Sequence, residues 1–140
     1  MEAIITKQYS FRNQPFYDLV GTTVGLVDSD FQSLSFYTQK LKQANLEVVG
    51  FETLPDLSEQ VLVLPISAVI FSPQVDKFSS ELNALSQFIA KNPQLPLITM
   101  AKTMQEMQID AIMRLGARLH INRDLSQPRD LLIALQQVMK

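Results

Sequence analysis

The chain of 140 residues has no cysteine, one histidine and only four glycines. Without cysteine there is no disulfide, no thiol nucleophile and no zinc–thiolate site, and a reducing compartment such as the cytoplasm is permitted. Four scattered glycines form no glycine-rich phosphate loop, no His/Cys metal cluster is present, and no Ser-His-Asp arrangement can be assembled from the sequence. An excess of one charge is also missing. Twelve basic against fourteen acidic residues give a net charge of −2, too weak and too mixed to draw the chain onto a phosphate backbone, so no direct nucleic-acid partner is expected. No stretch approaches the roughly 20 apolar residues that span a bilayer. The opening segment MEAIITKQYS lacks the long apolar run of a signal peptide, so the expectation is a soluble, cytoplasmic protein without a membrane partner.

What is present suits one globular domain. Hydrophobic residues make up 46% of the chain and charged residues 19%, and a chain this long buries about two thirds of the surface its unfolded form exposes. From Thr22 onward, short β-like runs alternate with amphipathic helical patterns. The predicted strands are Val24–Asp28, Glu47–Thr53, Ala68–Ser72, Leu97–Ala101 and Leu119–Asn122. Between them the spacing predicts five helices. The first is capped by Asp30, with Phe31, Leu34, Thr38 and Leu41 inward. The second is capped by Thr53, with Leu57, Val61 and Leu64 inward. Ser79 opens the third, with Leu82, Leu85 and Ile89 inward, and it stops before Asn92-Pro93. A capping box Thr103–Glu106 starts the fourth, which ends near Gly116. The fifth runs from about Gln127 to the terminus. Parallel strands joined by crossover helices give a flavodoxin-like, doubly wound α/β/α fold with a five-stranded parallel sheet. Residues 22–140 form this domain. Residues 1–21 form an N-terminal extension rich in aromatics (Tyr9, Phe11, Phe16, Tyr17), expected to cover an apolar patch of its own domain or to pack on a second copy.

In a doubly wound sheet a ligand or reactive group sits at the carboxyl ends of the strands. Those ends read Asp28-Ser29-Asp30, Ser72-Pro73, Ala101-Lys102 and Asn122-Arg123. The segments VGLVDSD, SAVIFSPQVD, PLITMAK and GARLHINRD, in that order, resemble the four signature regions of response-regulator receiver domains. The resemblance covers the chain from about Thr22 to Lys140. It implies a phosphorylation pocket in which two acids after the first strand hold Mg²⁺, an aspartate ending the third strand accepts a phosphoryl group, a hydroxyl ends the fourth, and a lysine follows the fifth. Only Asp28 matches its acid. Ser29 stands at the direct metal ligand, with Asp30 reading as a helix cap. Ser72 stands at the nucleophile, Ala101 at the hydroxyl, Arg123 at the lysine and His120 at the switch aromatic.

A serine hydroxyl needs a neighbouring base to attack phosphorus, whereas a carboxylate arrives charged. The resemblance therefore implies a pseudo-receiver: no catalysis, no cofactor, no metal, and a signalling role through protein contact independent of phosphorylation. Ser72 then reads as a structural strand end bonding backbone in the Ser-Pro turn, or as a target for a Ser/Thr kinase. Asp28 reads as bonded to local N–H groups or paired with Arg123. His120 is a packing residue or a pH sensor. On the fourth helix Met104, Met107, Ala111 and Leu115 are expected inward, leaving Ile109 and Met113 exposed; on the fifth, Leu131, Leu135 and Val138 face in and Ile133 out. Ile109, Met113 and Ile133 mark an apolar patch on the fourth helix, fifth strand and fifth helix, the face receiver domains use for dimers or partners. The alternative is a small-molecule or anion sensor in the vestigial pocket, anchored by Arg123.

Overall fold

The computed structural model describes residues 16–139. The chain forms β1 (Thr23–Asp28), α1 (Phe31–Gln43), β2 (Glu47–Phe51), α2 (Leu54–Gln60), β3 (Ala68–Ser72), α3 (Phe78–Lys91), β4 (Leu97–Ala101), α4 (Glu106–Leu115), β5 (Leu119–Asn122) and α5 (Pro128–Val138). All strands are parallel, in the order β2-β1-β3-β4-β5. The flavodoxin-like fold expected from the alternating pattern is the one observed. The central strands β1, β3 and β4 are buried almost end to end, as continuous apolar runs covered on both faces must be.

The two-residue period of a strand sends alternate side chains into two separate cores. Val24, Leu26, Ala68, Ile70, Ile98 and Met100 pack with Tyr37 and Leu41 of α1 and Leu131 and Leu135 of α5. Val27, Val69, Phe71, Leu97 and Ala101 pack with Leu57 of α2, Leu85 and Phe88 of α3 and Ile112 of α4. At Gly25 a Cβ would come within 3.0 Å of the Leu57 side chain, so α2 lies close to β1 only because that position has no side chain.

Several helix faces depart from expectation. In α1 the buried side chains are Tyr37 and Leu41, with Leu34 packed against them, while Phe31 is 78% exposed. The Asp30 side chain accepts from the Gln32 and Ser33 N–H groups, which makes Phe31 the first helical residue and turns it outward. The helix α2 is capped by Thr53 as expected, but it ends at Gln60, ahead of Val61 and Leu64. A single 3-10 turn, Val75–Lys77, runs into α3 at Phe78, so Ser79 does not cap it.

The domain also begins earlier than Thr22. A 3-10 turn at Tyr17–Leu19 places Leu19 fully within the α1/α5 core, Phe16 packs against the same core, and the Arg129 guanidinium lies 5.4 Å from the Phe16 ring centre. Phe16 and Leu19 pack on an apolar patch of their own domain. Tyr9 and Phe11 lie outside the described residues.

Candidate functional site

The carboxyl edge of the sheet opens into a cleft of about 200 Å³ lined by Asp28, Ser29, Asp30, Ser72, Ala101 and Arg123, together with Lys102. All six residues of the predicted pocket are therefore brought together. The cause is register: β1 and β3 end level, with Asp28 opposite Ser72, and β4 and β5 end level, with Ala101 opposite Asn122. A larger cleft of about 350 Å³ lies between α2 and α3 and is lined by helix residues alone, with none of the strand-end side chains. The chemistry-bearing residues belong to the smaller one.

At its centre is Arg123, in the 3-10 turn Arg123–Leu125 that follows β5. Its Nη2 donates to Asp28 Oδ2 at 3.1 Å and also to Ser72 Oγ. Asp28 Oδ1 accepts the Asp30 backbone N–H at 2.9 Å. The pair is well sheltered, with side-chain exposures of 14% for Arg123 and 5% for Asp28. The guanidinium carbon lies 5.8 Å from the centre of the Tyr37 ring, a cation–π arrangement that reaches α1. Burial raises the Tyr37 phenol pKa above its usual value; the Arg123 charge opposes that shift and the Asp28 charge adds to it.

Asp28 thus makes both contacts expected of it, to a local N–H and to Arg123. Ser72 departs from expectation: its hydroxyl is bonded to the Arg123 side chain and not to backbone of the Ser-Pro turn. Asp30 caps α1. Ala101 is buried and brings no polar atom.

The Mg²⁺ that the receiver resemblance implies does not suit this donor set. A hard dication wants several anionic oxygens. Here Asp28 has both oxygens occupied, the exposed Asp30 carboxylate is engaged in capping α1, Ser29 and Ser72 are neutral, and the Arg123 guanidinium already holds Asp28. Among the described residues no three His, Cys, Asp or Glu side chains converge elsewhere.

One contact was missed from the sequence. Thr99, fully buried in β4, bonds through Oγ1 to His120 Nδ1 at 2.8 Å. Adjacent register places the two side by side, and polar residues at matching positions of two neighbouring strands are the signal that could have found them. Burial lowers the His120 pKa.

The expected apolar patch is altered. Met113 and Ile133 are 38% and 45% exposed, but Ile109 is half-buried against the α2/α3/α4 core, and Met107, expected inward, is 81% exposed. The helix starts at Glu106 after Gln105, whose N–H donates to the Gln108 side chain, and not at a Thr103–Glu106 box. Thr103 Oγ1 instead reaches Asp124 at 3.4 Å. Met104 then lies ahead of the helix, so it does not set the phase of the inward face, which carries Ile109, Ile112 and Leu115. Gly116, with φ of +121°, ends α4 as expected. Among the described residues no helix is long and apolar enough to cross a membrane.

No family model matches the chain, and no protein of curated function matches it in sequence. Solved structures do match in shape. A response regulator from Thermotoga maritima superposes with a TM-score of 0.74 at 15% identity, covering 86% of this chain and 98% of its own. The Vibrio cholerae chemotaxis protein CheY4 gives 0.74 at 14% identity, covering 85% and 99%. A candidate pilus assembly-related protein from Burkholderia pseudomallei gives 0.73 at 18% identity, covering 91% and 94%. Sheet order, strand-end cleft and these superpositions agree that the chain has the fold of a response-regulator receiver domain.

Proposed function

We propose that this chain is a signalling module of the receiver fold that works without phosphotransfer, through contact with a protein partner or a second copy on the face formed by α4, β5 and α5. The observation that carries the reading is the state of the β3 end. Where a phosphoacceptor carboxylate would stand, Ser72 offers a hydroxyl already bonded to Arg123, and an un-ionised hydroxyl needs a base to attack phosphorus. The one histidine, His120, has its Nδ1 engaged by Thr99. Loss of a hydroxyl at Ala101 removes the group that would follow an added phosphoryl into the sheet. Of the apolar side chains expected on this face, Met113 on α4 and Ile133 on α5 are exposed. A cytoplasmic location belongs to the same proposal.

The test is incubation with Mg²⁺ and acetyl phosphate followed by intact-protein mass measurement, with sedimentation of the wild type and of Met113→Asp/Ile133→Asp in parallel. The reading expects no phosphoryl adduct and weaker self-association or partner binding in the variant. A stoichiometric adduct, or identical association of both proteins, would remove it. The anion-sensor reading is less favoured by the geometry, because its anchor, Arg123, is already paired with Asp28.

A further inference from the structure

The residues of the cleft do not suit the divalent cation of the receiver fold, and the way they fail has a specific form. A pocket that had merely lost its metal ligands would leave Asp28 either solvated or unpaired. Here the acid is 4% exposed and both of its oxygens are occupied, one by backbone and one by a guanidinium contributed from the far end of the chain. The same nitrogen, Nη2, also bonds Ser72. A single positive group therefore touches the end of β1 and the end of β3, the two places where a bound dication and its phosphoryl partner would be gathered.

We infer that Arg123 is a built-in cation: its guanidinium, covalently held by the chain after β5, takes over the charge-balancing place of the divalent metal and joins the ends of β1, β3 and β5 permanently. Three properties of arginine suit it to this. It stays protonated at any physiological pH, it is more weakly hydrated than an ammonium or a metal dication and so tolerates burial, and its flat face packs on an aromatic ring. Tyr37 supplies that ring. A free metal binds and leaves with its concentration, whereas a tethered cation is always at the site. The cleft is thereby indifferent to Mg²⁺, and the sheet edge is held in one arrangement. This inference concerns the cleft alone and stands whether or not the α4–β5–α5 face has a partner.

The experiment uses Mn²⁺ as the probe, whose unpaired electrons broaden amide NMR signals close to it. In the wild-type chain the amides of Asp28, Ser29 and Ser72 should keep their intensity through a Mn²⁺ titration, and thermal unfolding should not move with Mg²⁺. In Arg123→Ala the uncompensated Asp28 carboxylate should attract the ion, broadening those three amides selectively, and Arg123→Ala/Asp28→Asn should lose that effect. Because Arg123→Ala could unfold, the wild-type guanidinium is followed as well: Arg123 Nη resonances should be resolved, reporting slowed rotation about the Nε–Cζ bond, and Asp28→Asn should average them. Selective Mn²⁺ broadening at Asp28 in the wild type, or a freely rotating Arg123 guanidinium, overturns the inference.

Discussion

At the scale of single residues, the pairing of Asp28 with Arg123 sets unequal costs for its members. Removing one charge of a sheltered pair strands the other, a penalty of about 3 kcal/mol, while deleting a hydroxyl that accepts one of several bonds costs about 1 kcal/mol. Urea unfolding should therefore show Asp28→Ala losing about 3 kcal/mol and Ser72→Ala about 1 kcal/mol. The two losses should not add in the double variant, since both side chains hold the same Nη2. Similar losses from both single variants would mean that the ion pair contributes no more than the hydroxyl. Much of this cleft was legible in the sequence, because strand ends can be located from apolar runs and the cleft lies at strand ends. Its wiring was less so: that Ser72 would turn to Arg123 and not to its own turn depends on how far a long side chain reaches across the sheet, which no local pattern encodes.

Among the elements, β4 and β5 are joined by more than their ladder. The Thr99–His120 bond ties the two strands on the side of the sheet that α4 covers. Burial holds the His120 pKa below its usual 6.5. The unfolded chain therefore binds the proton more readily than the folded one, so the His120 contribution to stability is complete above pH 6.5 and is lost as pH falls through the lower folded value. Stability measured by urea unfolding should decline below pH 6.5, and His120→Gln should flatten that decline down to the range where carboxylates titrate. An unchanged slope in His120→Gln would assign the decline to other groups. Strands were the most legible elements, because continuous Val, Ile, Leu and Phe runs bounded by turns admit few alternatives. Helix faces were read less well. In α1 the Asp30 cap was read correctly, yet Phe31 at the first helical position faces out; in α4 the helix begins after Gln105, whose N–H the Gln108 side chain captures, two residues past the expected Thr103 cap. A start displaced by a residue or two turns the inward face and exchanges Met107 for Ile109.

For the whole molecule, the boundary of the domain matters. Leu19 is 1% exposed in the α1/α5 core although it precedes the first strand. A chain trimmed to begin at Thr22 loses that side chain and the packing of Phe16, and should be less stable by about 3 kcal/mol, the usual cost of emptying a leucine-sized site. Thermal unfolding of the trimmed and full chains measures it, and equal midpoints would show that the segment contributes nothing. The boundary was hidden because a single 3-10 turn bearing one buried leucine has no periodicity to read.

The bonds of Arg123 reach across 95 residues to Asp28 and 51 to Ser72. Chain segments so far apart meet late in folding, after the central strands have collapsed together, because closing long loops is entropically costly. Arg123 should therefore act as a latch set after the rate-limiting step. In a chevron measurement, Ser72→Ala should speed the unfolding limb and leave the refolding limb nearly unmoved. The residue that quiets the cleft would then also lengthen the lifetime of the folded protein, resisting escape from the native state more than it hastens arrival there.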